Sequence, residues 1–171
     1  MTVLINLKQD MDVQEYIRNY QLAEKREAIF LLVWGLVSIV VSVVLYLVLD
    51  DLFSKFFAYP FAGLGAGMLV EAFFYFIAKI KQKLLFDDDI LESEKNRAMG
   101  EIKKLDLRRN LDTVLLILGF ALFILGGVVT TQTVSAGIGL GLLIQSTVLL
   151  VKDSWALWRA RLYVVELEGE P

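Results

Sequence analysis

Apolar and polar residues are segregated into long blocks along this chain. Apolar runs cover residues 28–49 (AIFLLVWGLVSIVVSVVLYLVL), roughly 56–78, 113–129 (TVLLILGFALFILGGVV) and 133–151 (TVSAGIGLGLLIQSTVLLV). A bilayer core about 30 Å thick is crossed by about 20 helical residues, so each run predicts a transmembrane helix. A soluble core would need polar sequence to cover it, and four such runs in 171 residues leave too little. The predicted fold is an all-α integral membrane protein. Its four transmembrane helices form two tandem related hairpins, with additional cytoplasmic helices.

The polar blocks divide the chain further. Residues 1–27 form an N-terminal segment, 28–80 the first hairpin, 81–112 a connecting segment, 113–152 the second hairpin and 153–171 a C-terminal segment. DVQE at 12–15 has the spacing of a capping box, with Asp12 and Glu15 in reciprocal roles. Val13, Tyr16, Ile17 and Tyr20 then share one face of an amphipathic helix, which would lie on the membrane surface or against the connecting helix. That connecting helix is expected from about Asp88 to Asn110, running on toward the third span. Asp87–Asp89 would sit at its start, where carboxylates meet unpaired N–H groups, and Gly100 is a weak point inside it.

Charge sets the orientation. Of 17 lysines and arginines, only Lys55 lies in a loop between the first and second or the third and fourth spans. The other basic residues flank the opposite ends, which predicts that both termini and the connecting segment are cytoplasmic. The expected location is a bacterial cytoplasmic membrane. Trp155 and Trp158, with Lys79, Lys81, Arg159 and Arg161, have the composition of interfacial anchors.

Within the second and fourth runs, AGLGAGMLVEA (62–72) matches AGIGLGLLIQS (136–146). Gly63, Gly65, Gly67 and Glu71 align with Gly137, Gly139, Gly141 and Gln145 at an offset of 74, which predicts an internal duplication. Gly35 and Gly119 match more loosely. Both hairpins would start inside and return, so a pseudo-two-fold axis along the membrane normal would relate them. Residues four apart share a helix face. Gly63 and Gly67 on one helix, and Gly137 and Gly141 on the other, therefore form notches that permit close backbone approach. Gly35, Ser38 and Ser42 make a similar small-residue face on the first span, the serines bonding back to their own helix. Pro60 marks the start of the second helix or a mild kink.

Glu71 stands out chemically. It lies eight residues inside Lys79, about 12 Å at 1.5 Å per residue, near mid-depth. A carboxylate there must face protein or water, or carry a proton. The duplication offers Gln145 as its partner, as structural glue between spans two and four. The alternative is that Glu71 lines a conduction or proton path.

Composition narrows the chemistry. The chain has no cysteine and no histidine, which removes thiolate and imidazole nucleophiles, bases and metal ligands. No nucleophile has a base beside it, so no enzyme is expected. Asp87, Asp88, Asp89 and Glu92 lack calcium-loop spacing, and helix capping accounts for them; no metal or cofactor site is expected. The basic run from Lys103 to Arg109 suits anionic lipid headgroups. It lacks the interleaved aromatics of a nucleic-acid surface, so no nucleic acid is predicted. Expected partners are membrane lipids, further copies of the chain in a homo-oligomer, and a cytoplasmic or membrane protein. Two functional classes follow: a non-enzymatic scaffold or accessory subunit working through its cytoplasmic helices, or a small homo-oligomeric ion channel or proton-coupled transporter with Glu71 in the path.

Overall fold

A computed structural model describes residues 2–82, 90–129 and 132–168. The described chain is all-helical: α1 (Thr2–Val48), α2 (Leu52–Gln82), α3 (Ile90–Ile124), a π-helical turn (Leu125–Val129) and α4 (Thr133–Glu168). All four α-helices are long and apolar enough to cross a membrane. At most 33% of any span's most apolar window is buried in the protein. The remainder faces outward, with Val40, Phe73, Phe120 and Val151 all more than half exposed. Such a surface suits hydrocarbon and would be costly in water.

The helices are longer than the apolar runs. α1 passes from the N-terminal segment into the first span without interruption, so Asp12 lies within the helix and does not start one. No break separates the connecting helix from the third span, and Gly100 is accommodated inside α3. The expected cap at Asp87–Asp89, and the side chains of Asp12, Val13, Tyr16, Lys79 and Lys81, lie outside what is described. α2 begins before Pro60, at Leu52, so the proline is internal to the helix and does not open it. Asp51 caps α2 instead. Its Oδ2 accepts from the Ser54 backbone N–H at 2.8 Å, and this bond holds the Asp51 carboxyl below its ordinary value.

α1 and α2 pack antiparallel, as do α3 and α4, and α2 against α4 is the main contact between the two pairs. Glycine brings the backbones together inside each pair. A Cβ on Gly35 would stand 2.9 Å from the Gly65 carbonyl oxygen, and one on Gly139 would stand 2.8 Å from that of Gly119. Between the pairs, Gly137 and Gly141 face the α2 backbone at Phe53 and Phe57, with the Pro60 ring beside Gly141. Contacts this short exclude any side chain larger than hydrogen.

Gly63 and Gly67 behave differently. A Cβ on either would meet nothing within 4 Å, so they do not face Gly137 and Gly141. The register also differs from the one the sequence match implies. Gly141 lies opposite Pro60 and Lys152 opposite Glu71, an offset of 81, where the sequence match has 74. The seven-residue difference is two helical turns, about 10 Å. A pure two-fold along the bundle axis would hold matching residues at one level, and these two helices depart from it.

Alanine substitution should separate the two kinds of glycine. Gly139→Ala forces a Cβ into the α3 backbone and should cost about 1–3 kcal/mol. Gly67→Ala should be neutral or slightly stabilising, because alanine is the better helix former. Thermal unfolding in detergent micelles measures both, and equal losses would contradict the packing described.

Candidate functional site

The polar side chains inside the bundle fall into three levels. The deepest is built on Gln145, which is fully buried. The Trp34 indole Nε1–H donates to Gln145 Oε1 at 3.0 Å, and Gln145 Nε2 donates to Ser38 Oγ at 2.8 Å. Indole can only donate, so it selects the amide oxygen and turns the NH₂ toward the serine. The amide thus joins α4 to α1. Ser38 is the Gln145 partner as well as the contact of Gly65, and Ser42 is buried one turn away. Ser146 and Thr147 instead bond back to the carbonyls of Leu142 and Leu143 on their own helix.

The second level holds Glu71. Its carboxylate forms an ion pair with Arg108 Nη1 from α3 and lies 3.7 Å from Lys152 Nζ of α4. The expected Glu71–Gln145 pair is therefore replaced: the two residues sit at different levels and have different partners. The two-turn register difference is the reason. Glu71 is at the level where α3 and α4 turn charged, and its side chain is 31% exposed. The Lys152 side chain is only 9% exposed, with its Nζ 2.6 Å from Asp153 Oδ1. Asp112 and Asp153 are both buried, and their carboxyls meet. Arg108 and Lys152 thus stand beside three carboxylates, Glu71, Asp112 and Asp153.

The third level joins α1, α3 and α4. Arg97 bonds Glu24 at 2.9 Å through Nη1 and Glu94 at 2.9 Å through Nε. Gln21 donates to Glu94 at 3.4 Å. The rings of Tyr20 and Tyr163 stack with centroids 4.0 Å apart, over a small apolar cluster of Leu105, Ala156, Leu157 and Ala160. Arg159 turns inward to an ion pair with Glu27. It therefore differs from Trp155, Trp158 and Arg161, which are more than half exposed on the outer face of α4. Ile17 and Tyr20 carry the described part of the expected N-terminal apolar face, and Tyr20 meets α3 and α4.

Between the second and third levels lies a cavity of about 510 Å³, walled by all four helices. Among the described residues α1 and α3 have no close backbone contact; long charged side chains bridge them across the cavity. Its apolar wall includes Leu31, Gly67, Val70 and Phe74.

Sequence reasoning missed Trp34, gave Lys152 a role in orientation only, and gave Arg108 roles in orientation and in contact with anionic lipid headgroups. Trp34 did carry a signal. It sits inside an apolar run, where an indole N–H needs an acceptor, and not at the end, where interfacial tryptophans gather. Comparison with known proteins found no matching family model, no matching curated protein and no matching solved structure.

Two substitutions test this network. Gln145→Leu strands the Trp34 donor and should lower stability by about 1–2 kcal/mol, part of which Trp34→Phe restores in the double variant. Lys152→Met leaves two carboxylates facing each other and should cost more than Glu71→Gln, about 2 kcal/mol or more. Unfolding in mixed micelles reads both; a Glu71→Gln loss exceeding that of Lys152→Met would show that Glu71 is held by something other than these cations.

Proposed function

We propose that this chain is a small non-enzymatic scaffold or accessory subunit of a bacterial cytoplasmic membrane. In this reading both termini and the polar parts of α1, α3 and α4 are cytoplasmic, as the basic residues indicate. Their surface docks a protein partner, and the chain assembles as a homo-oligomer. The two antiparallel pairs are diverged copies of one hairpin: Gly35–Gly65 and Gly119–Gly139 make the same contact in each.

One observation carries the choice of scaffold over channel. Glu71 is neutralised by Arg108 and Lys152 in a network that ties α2 to α3 and α4. A carboxylate so engaged braces the two pairs against each other. Below it the helices close through glycine contacts and the Gln145 amide, and the cavity is confined to the charged end. Trp155 and Trp158 on the outer face of α4 suit an interfacial position, with Arg161 beside them.

Liposome flux separates the two classes. The purified protein should pass no more protons, monovalent ions or small solutes than empty vesicles do, and Glu71→Gln should change stability and leave flux at background. Flux well above background that Glu71→Gln abolishes, with the protein still folded and its oligomeric state intact, would establish the channel reading instead.

A further inference from the structure

The cavity and the open glycine face of α2 are continuous. Gly67, Val70 and Phe74 belong to both, and Gly63 extends the face one turn further from the charged end. We propose that this continuous surface is a binding site for one phospholipid, its phosphodiester taken by Arg108 and Arg159 in the cavity and one acyl chain laid along Gly63, Gly67, Val70 and Phe74.

The polar half follows from donor accounting. The cavity wall holds Arg97, Lys104, Arg108, Lys152 and Arg159 against Glu24, Glu27, Glu71 and Glu101. Every one of these carboxylates is engaged, with Arg97, Arg159, Arg108 and Lys104 respectively. A guanidinium has five N–H donors, and Arg108 meets Glu71 through Nη1 alone. Arg159 meets Glu27 through Nη2, and its buried Nε faces no acceptor among the described residues. The wall therefore has N–H donors left over. What satisfies them is an anionic oxygen with several lone pairs, as on a phosphodiester. A pocket of about 510 Å³ is in the range that holds a small-molecule headgroup. Basic pockets between membrane helices at the cytoplasmic edge suit lipid headgroups.

The apolar half follows from contrast. The matching notch on α4, Gly137 and Gly141, is filled by the α2 backbone, whereas Gly63 and Gly67 are open. Val70 and Phe74 beside them are 55% and 64% exposed. An open small-residue face leading into a pocket lined by guanidinium donors fits an amphiphile better than it fits another helix, which would have no use for the polar end. This inference needs only that the spans lie in a bilayer, and it stands whether or not the chain is a scaffold.

Lipid retention tests it. The full chain, purified in detergent, is exposed to dioleoyl phosphatidylglycerol, dioleoyl phosphatidylethanolamine, dioleoylglycerol, glycerophosphate and inorganic phosphate, each alone. Bound species are counted by native mass spectrometry, with thermal stability read in parallel. Both phospholipids should bind at one per chain and raise the melting temperature, and the other three should do neither. Gly67→Phe places a ring on this face from a Cβ that meets nothing within 4 Å, so the fold should persist while phospholipid affinity falls about tenfold or more. Arg108→Gln should lower affinity for the phospholipids and leave weak detergent-like association unchanged. Equal binding of dioleoylglycerol would reduce the site to an apolar surface, and equal binding of glycerophosphate or phosphate would make it a site for a soluble anion. Undiminished retention in a folded Gly67→Phe protein would mark the lipid as annular only. A change of oligomeric state in that variant, with lipid binding unaltered, would give the face to a second copy. Any of these four results overturns the proposal.

Discussion

The contact on which this structure turns is the seating of the α2 backbone in the glycine notch of α4. Gly137 and Gly141 admit Phe53 and Phe57 so closely that no other residue would fit. This is the main contact between the α1–α2 and α3–α4 pairs, so it fixes how far one pair slides along the other. The polar arrangements follow from that slide. It sets Glu71 level with Arg108 and Lys152. It leaves Gln145 deeper, where Trp34 and Ser38 of α1 are the polar groups within reach. Gly63 and Gly67 stand outside this contact, with nothing within 4 Å of a Cβ.

Away from this notch the character of the interface changes. Where the helices touch, small residues and one amide suffice. Toward the charged end the gap between α1 and α3 is wider than apolar side chains can close, and arginine and glutamate reach across it. Long charged side chains can do this only where their heads are near water, because an unpaired charge in hydrocarbon is costly. The cavity, the ion pairs and the stacked tyrosines all lie toward the charged end, where α1 meets α3 and α4 through side chains. A brace of this kind holds the polar ends of four helices in a fixed arrangement, as a docking surface requires. The same region holds the space and the Arg159 donor, unpartnered among the described residues, that a phospholipid would use.

Much was legible in the residues. Run lengths alone mark four helices, and the glycines mark where backbones approach. The absence of cysteine and histidine confines the polar chemistry to carboxylates, amides, hydroxyls and cations. The apolar runs understate the helices, because α1, α3 and α4 continue as helix beyond any hydrophobic signal, held by side-chain contacts with one another. Glu71 was recognisable as a residue that needs a partner, and Gln145 as a residue that must be satisfied. Their actual partners were not recognisable, although Arg108, Lys152 and Trp34 are all plain in the chain.

The physical reason lies in helical periodicity. Seven residues are within about 20° of two full turns, so sliding α2 past α4 by that amount presents the same faces to each other. The glycines stay in line and the apolar stripe is preserved; a pattern along the chain therefore reads identically at either register. Composition and spacing thus determined the class of protein, the spans and the residues that had to pair. Which register was taken, and hence which charge met Glu71, was decided by three-dimensional contact alone: the fit of Phe53, Phe57 and Pro60 against Gly137 and Gly141.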